Sequence, residues 1–302
     1  MKIMLDKDDM LSASYLRYRD LLEASDKYDV IIDKQTAKKV GFDQFKRVMI
    51  IERKDAAAIW MKQFLIMDNV KCALEMFHYK DLEVNNRPAT GGRIFVDEPS
   101  HALPQRFPIE QKHLDKVQAG FSFFHNPRFD GFFEEIEDVE LIPTKDREID
   151  LMYAGTTSFG TNEAGQWITR HRQRCIENIN AMDGELRVLA VDGRGLPRAE
   201  YYQSLQQAKV FLSPFGTGEY CGKDFEALMC GCIVVKPRLP ARCYFNPDYY
   251  NDIVYCANFD SFGLSDYEDA IAMFGDRPPE EVKWKLLEAE KNERKIVEDI
   301  LA

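Results

Sequence analysis

A glycine-rich stretch between two short apolar runs constrains the fold more than any other part of this 302-residue chain. Residues 210–212 and residues 233–235 are apolar and rich in β-branched side chains, as buried parallel strands are. Between them, residues 213–222 hold three glycines and a proline, and residues 224–229 are predicted to form a short helix. The stretch therefore predicts a βαβ unit with its loop at the carboxyl end of the first strand, where ligands of open α/β sheets bind.

Strand and helix patterns alternate on both sides of this unit, which favours an α/β fold with mostly parallel sheets. We predict two Rossmann-like domains, residues 1–143 and residues 148–302, joined by a hinge at residues 143–147. The predicted strands lie at residues 2–5, 28–32, 47–51, 70–77, 139–142, 149–153, 186–191 and 253–255. The predicted helices lie at residues 11–25, 55–67, 162–182 and 198–207, from residue 265, and at 279–301.

Composition narrows the class of protein and its partners. The formal net charge of -11 argues against a general nucleic-acid binder, because phosphate contacts need clustered lysines and arginines. No apolar run approaches the roughly 20 residues that span a bilayer, and charges interrupt the N-terminus, so no signal-peptide core is expected. The seven cysteines form no Cys-x-x-Cys pair, which favours reduced thiols. We therefore expect a soluble, cytoplasmic protein without a transmembrane segment, a nucleic-acid partner or a metal site.

The glycine-rich stretch also resembles a known family. Ser-Pro-Phe-Gly at residues 213–216, Glu219, the run at residues 223–228 and Gly231 resemble the donor-binding segment of GT-B glycosyltransferases. The resemblance is greatest to exostosin-like and group 1 transferases and to small glycosyltransferases of large algal viruses. It is specific over about 30 residues, weaker over residues 150–260, and barely covers the first 140. It implies two facing Rossmann-like domains, with a C-terminal helix that packs back on the first domain.

The same resemblance implies a donor site. In such enzymes a basic residue meets the diphosphate of a sugar nucleotide and a glutamate holds the ribose hydroxyls, which maps onto Lys223 and Glu226. Glu219 is predicted to hold a sugar hydroxyl. Arg170 and Arg174 lie four residues apart on one helix, where related transferases use an arginine. The predicted donor-binding residues are Gly155, Arg170, Arg174, Ser213, Pro214, Phe215, Gly216, Thr217, Gly218, Glu219, Tyr220, Lys223 and Glu226.

An inverting transfer also needs a base that takes the proton of the acceptor hydroxyl. Asp81 follows the strand predicted at residues 70–77 and is the first candidate, and His78 is the second. Other candidates for the base are Asp6, Asp8, Asp9, Asp97 and His101.

The sequence therefore predicts a glycosyltransferase that moves a hexose or pentose from a nucleoside-diphosphate sugar, favoured to be a UDP-sugar, to a hydroxyl of a glycan or glycoprotein. The reaction is expected to invert the anomeric centre and to need neither a metal nor another cofactor. Two alternatives stay open. One is a non-catalytic module that binds nucleotide sugars. The other is a retaining GT-B transferase, because many of these space two glutamates eight apart, whereas Glu219 and Glu226 are seven apart.

Overall fold

Two parallel sheets of five strands each organise the chain in the computed structural model. The structure describes residues 2–4, 18, 20–52, 62–75, 78–79, 109–119, 140–160, 163–182, 184–193, 195–216, 221–237, 245–246 and 253–302. The chain forms two compact units, one of residues 1–133, 242–247 and 288–302, the other of residues 134–241 and 248–287. Each unit is an α/β layer structure built on a parallel sheet, so the predicted fold class of two Rossmann-like domains is confirmed.

The first unit contains a sheet in the order β1-β2-β3-β4-β6, and every pairing in it is parallel. A separate antiparallel pair joins β5 to β11. The elements of this unit are β1 Lys2–Met4, β2 Val30–Asp33, α1 Lys34–Val40, β3 Val48–Glu52, α2 Lys62–Leu65, β4 Val70–Glu75, β5 His78–Tyr79, α3 Gln111–Leu114, β6 Val117–Ala119 and β11 Phe245–Asn246.

Apolar, β-branched strands explain the core of the first unit. All four residues of β2 are buried, as in a parallel strand covered on both faces. Val48 and Ile50 of β3 pack with Leu114 and Val117 in one cluster. The prediction of a strand at residues 139–142 is wrong, because residues 140–142 lie outside any strand. Leu141 is buried there, so its apolar character reflects a packed loop.

The second unit contains a sheet in the order β12-β10-β9-β7-β8, again with parallel pairings throughout. A single 3₁₀ turn, Thr144–Asp146, precedes its first strand. The elements of this unit are β7 Ile149–Gly155, α4 Glu163–Ala181, β8 Val188–Asp192, α5 Arg198–Gln207, β9 Ala208–Leu212, α6 Gly222–Met229, β10 Ile233–Pro237, β12 Val254–Ala257, α7 Leu264–Phe274 and the first part of α8 Pro279–Leu301.

The C-terminal helix α8 continues from the second unit into the first, to which residues 288–302 belong. Ser25 Oγ donates to the carbonyl of Leu301 at 2.8 Å, and Arg294 forms an ion pair with Asp20. The prediction that the terminal helix packs back on the first domain is therefore confirmed. In the described part of the chain, no helix is both long enough and apolar enough to cross a membrane.

Arg147 lies in the segment predicted to be a hinge, yet its side chain is buried inside the second unit. Its guanidinium donates to the carbonyls of Ile142 at 2.9 Å, Ala208 at 2.7 Å and Cys230 at 3.0 Å. Each carbonyl accepts a charge-assisted hydrogen bond, which offsets the desolvation of the buried cation. Arg147 therefore joins the start of this unit to β9 and to the turn before β10.

Gly231 is required next to this arginine. Its φ is +77°, and an added Cβ would lie 2.5 Å from Arg147 Nη2 and 2.7 Å from Pro279 Cβ. We expect Gly231→Ala to lower the free energy of unfolding by about 3 kcal/mol, through left-handed strain and overpacking. Gly193→Ala is the matched control, because Gly193 has a φ of +72° with nothing within 4 Å of the added carbon. Urea unfolding measures both, and equal losses would contradict the clash.

Candidate functional site

The second sheet reverses its strand order between β7 and β9. The chain leaves β7 for β8 on one side and leaves β9 for β10 on the other, so the loops at the two carboxyl ends diverge. Such a switch point opens a crevice, and ligands of open α/β sheets bind there. In the first sheet the described strands follow chain order without a reversal. The topology therefore places the candidate site in the second unit, beyond Gly155 and Leu212.

A small, half-open crevice of about 20 Å³ lies at this switch point. Its lining comes from the ends of β7 and β9, from α4, and from the start of α6. The lining residues are Tyr153, Ala154, Gly155, Arg172, Phe211, Leu212, Ser213, Pro214, Cys221 and Lys223. The cavity thus combines two cationic side chains with the carboxyl ends of two neighbouring strands.

Lys223 brings one of these cations to the crevice from the first turn of α6. Its ammonium donates to the carbonyl of Ala154 at the end of β7, and it lies 5.5 Å from the centre of the Tyr201 ring. Burial lowers the pKa of Lys223 because it disfavours the charged form. An anion in the cavity would restore favourable interactions to this ammonium, so the position suits a negatively charged ligand.

Arg172 is the second cation, and it connects the two loops that diverge at the switch point. Its Nε donates to the carbonyl of Phe215 at 2.9 Å, after β9, and its Nη1 donates to Thr156 at 2.8 Å, after β7. Its guanidinium also lies 4.6 Å from the centre of the Phe159 ring. The guanidinium carries five donors in a rigid fork, so it can hold both loops and still meet phosphate oxygens.

The two arginines that sequence reasoning selected on α4 lie elsewhere. Arg170 and Arg174 are exposed, and Arg174 pairs with Glu177 at 3.2 Å on the helix surface. Residues two apart on a helix point about 200° from each other, which places Arg172 on the opposite face from its neighbours. A signal was present, because Ile168, Cys175 and the position of Arg172 share the helical spacing of the buried face.

A buried ion pair supports the loop after β9. Lys236 Nζ lies 3.0 Å from Asp224 Oδ2, with side chains 5% and 0% exposed. Ser213 Oγ donates to the other oxygen of Asp224, and the backbone N–H of Cys221 donates to Oδ2 at 3.0 Å. Sequence reasoning missed this pair, although a lysine inside the buried run of β10 requires a charged or polar partner. The pair joins three segments: β10, the start of α6 and the loop after β9.

His171 holds Phe215, which lies in the same loop. Its Nε2 accepts the backbone N–H of Phe215 at 3.2 Å, so Nε2 carries no proton in this arrangement. Its ring stacks on Trp167 at 4.7 Å and on Phe215 at 5.7 Å, and the Phe259 ring meets it edge-on at 5.7 Å. These contacts fix Phe215, whose carbonyl accepts from Arg172.

Glu226 lies one turn after Lys223 on α6 and is held by two adjacent tyrosines of α5. Tyr201 donates to Oε2 at 2.8 Å, and Tyr202 donates to Oε1 at 3.3 Å. Burial, followed by the charge of Glu226, raises the pKa of both tyrosines well above the ordinary value. Both hydroxyls therefore keep their protons near neutral pH and serve as donors to the carboxylate.

Several predicted residues lie outside the described part of the chain. Among the donor-site predictions these are Thr217, Gly218, Glu219 and Tyr220. The candidate base Asp81 also lies outside it, and His78 is described as part of β5, where it pairs with Asn246. Their roles stay predictions.

The other predicted residues of the strand ends and of the loop after β9 lie in or beside the cavity. Ser213 and Pro214 line the cavity with Gly155 and Lys223, and Phe215 and Gly216 are buried beside it. Gly155 lets the side chains of Tyr153 and Arg172 lie close to the backbone at the end of β7. An added Cβ would be 3.1 Å from Tyr153 Oη and 3.5 Å from Arg172 Nη1. Within the described residues, no group of three His, Cys, Asp or Glu side chains is placed to hold a metal ion. Metal independence itself stays a prediction.

No protein-family model matches the chain, and no curated protein matches it. Solved structures that resemble it include a UDP-forming α,α-trehalose-phosphate synthase from Burkholderia vietnamiensis, at 9% identity and a TM-score of 0.43 over 96% of this chain and 77% of that one. The glycotransferase of kitacinnamycin matches at 10% identity and 0.40, over 99% and 97% of the two chains. UGT89C1 of Arabidopsis thaliana, complexed with UDP-L-rhamnose, matches at 14% and 0.39, over 97% and 75%.

The buried pair generates a stability prediction. Lys236→Met should lower the free energy of unfolding by about 3–5 kcal/mol, because it leaves the Asp224 carboxylate buried and unpaired. The double variant Lys236→Met/Asp224→Asn should lose less, because it buries no uncompensated charge. Arg174→Met is the control in an exposed ion pair and should change stability by less than about 1 kcal/mol. Urea unfolding compares the three, and a double variant less stable than Lys236→Met would refute the argument.

Proposed function

We propose that this protein is a GT-B glycosyltransferase that moves a sugar from a UDP-sugar to a hydroxyl of a glycan or glycoprotein. The observation that carries the proposal is one short helix, α6, which directs Lys223 into the crevice at the switch point and presents Glu226 one turn later to a tyrosine pair. In the GT-B transferases that this stretch resembles, a cation and a carboxylate at this spacing bind the diphosphate and the ribose of a sugar nucleotide. The second unit then holds the donor, and the first supplies acceptor contacts and the base.

The diphosphate is proposed to bind beside Lys223 and Arg172. Both side chains line the same cavity and now donate to backbone carbonyls there. The start of α6 adds the partial positive charge of a helix N-terminus. When the bond between the sugar and the diphosphate breaks, the leaving group gains negative charge, and these fixed donors stabilise it without a metal ion.

The acceptor oxygen forms its new bond at the anomeric carbon as the diphosphate leaves from the opposite side, which inverts that carbon. The acceptor proton passes to a base, for which Asp81 and His78 remain the proposed residues. General-base catalysis of this kind contributes roughly 10²–10⁴-fold. No other reactant is needed, since the leaving diphosphate takes the bonding electron pair.

Arg172 and Arg174 provide a matched pair of variants on one helix. Arg172→Gln should weaken UDP binding about ten- to hundred-fold, the loss expected for a charge-assisted hydrogen bond. Arg174→Gln should leave the affinity within about twofold, because this side chain is exposed and pairs with Glu177. Calorimetric titration with UDP and with UMP measures both variants. If Arg172→Gln weakens UMP and UDP equally, the arginine acts only on the loops.

The transferase activity is tested with a panel of UDP- and GDP-sugars, scored by sugar release and by transfer to glycan acceptors. We expect turnover with a UDP-sugar that persists in EDTA, because lysine, arginine and backbone amides meet the phosphate charge. Asp81→Asn should reduce transfer by roughly 10²–10⁴-fold while donor affinity changes only a few-fold, because it removes basicity but keeps the side-chain size.

Three other outcomes would each contradict part of the proposed function. Donor binding without turnover by the unaltered protein would favour the non-catalytic binding module. Loss of transfer in EDTA that Mn²⁺ reverses would overturn the metal-free phosphate site. Retention of configuration in the product would replace the inverting mechanism with the retaining one and remove the need for Asp81.

A further inference from the structure

The carboxylate of Glu226 is oriented by side chains from another helix. Tyr201 and Tyr202 are neighbours on α5, and their hydroxyls approach different oxygens of Glu226, at 2.8 Å to Oε2 and 3.3 Å to Oε1. Two donors on opposite oxygens fix the carboxylate plane as well as its position. With a single donor, the carboxylate could still rotate about the terminal bond of the glutamate, because the χ3 torsion has a broad distribution.

The tyrosines are themselves held in place. The Tyr201 and Tyr202 rings lie 5.3 Å apart, the guanidinium of Arg198 lies 5.6 Å from the Tyr202 ring, and the Lys223 ammonium lies 5.5 Å from the Tyr201 ring. Tyr201 therefore contacts both functional side chains of α6, the cation proposed for the diphosphate and the carboxylate proposed for the ribose. The two cation-to-ring distances are within the range of a cation–π interaction.

We propose that Tyr201 and Tyr202 are positioning residues that aim Glu226 at the vicinal diol of a ribonucleotide. The inference rests on the proposed function, because it takes Glu226 as the ribose ligand. An ionised carboxylate oxygen accepts more than one hydrogen bond, so each oxygen can take a tyrosine and a sugar hydroxyl together. Two oriented oxygens match two adjacent hydroxyls of ribose, whereas a 2′-deoxyribose offers only one. The tyrosine pair thereby makes the site selective for ribonucleotides over deoxyribonucleotides.

The test compares the affinity of UDP with that of 2′-deoxy-UDP by calorimetric titration. The unaltered protein should bind UDP about ten-fold more tightly, the value of one hydrogen bond to a charged acceptor. Tyr201→Phe should reduce this preference to about two-fold, with little change in the affinity for 2′-deoxy-UDP. Tyr202→Phe should act in the same direction but less, because its hydrogen bond is longer. Glu226→Ala should abolish the preference.

Tyr267→Phe is the matched control, since Tyr267 is a buried tyrosine of the same unit that packs in the core with Phe274. It should keep the ten-fold preference. A thermal-unfolding midpoint for each variant confirms that it is folded, and Tyr202→Phe carries the test should Tyr201→Phe fail to fold. A merely structural tyrosine would weaken UDP and 2′-deoxy-UDP equally, and that result would overturn the inference.

The failures of this inference and of the proposed function are distinguishable. An unchanged preference in both tyrosine variants, with the preference intact in the unaltered protein, overturns the positioning role alone. Equal binding of UDP and 2′-deoxy-UDP by the unaltered protein overturns the role of Glu226 as a diol ligand, and the inference with it. Failure to bind UDP at all overturns the proposed function.

Discussion

The buried ion pair between Lys236 and Asp224 is the interaction on which the rest of the site depends. Both charges are withdrawn from water, so each requires the other and the hydrogen bonds around them. Ser213 and the backbone of Cys221 supply those hydrogen bonds. The cost of separating the charges therefore acts on a strand, a loop and a helix start together. The pair therefore adds a tertiary constraint to a glycine-rich loop, whose own backbone preferences are weak.

Other contacts continue this support across the switch point. His171 accepts a hydrogen bond from the backbone N–H of Phe215, and Arg172 donates one to its carbonyl. Helix α4 therefore holds both backbone polar groups of Phe215. Arg172 also reaches Thr156 after β7. The divergence of two loops is what opens the crevice, and the Arg172 side chain hydrogen-bonds to both loops across it. Such a link would suit the diphosphate of the proposed donor, whose oxygens need donors at fixed distances.

Local signals in the sequence predicted several elements of the fold. Residues 198–207 and 279–301 were predicted as helices and coincide with α5 and α8, because a proline start and helical periodicity are both visible in a short window. β6 was missed, since the three residues Val117–Ala119 carry too little pattern to predict a strand. The ion pair was missed for a different reason: Lys236 and Asp224 are twelve residues apart, and only the tertiary fold brings them together. Lys223 and Glu226 were predicted from a family resemblance. Arg172 was not predicted, because its selection depends on knowing which face of α4 is buried.

Asp224 of the ion pair, the cation Lys223 and the carboxylate of Glu226 all lie on α6, and their directions depend on how this helix is oriented about its own axis. Consecutive helical residues point about 100° apart, so Lys223, Asp224 and Glu226 leave the helix in three different directions. Asp224 pairs with β10, Lys223 reaches β7, and Glu226 meets α5. A helix contacted on three sides by three elements cannot rotate without breaking at least one of these contacts, and one of them is a buried charge pair. The cation and the carboxylate proposed for the donor are therefore fixed relative to each other before any ligand binds. Such preorganisation would lower the ordering cost of binding the proposed donor, although the charge pair itself need not touch it.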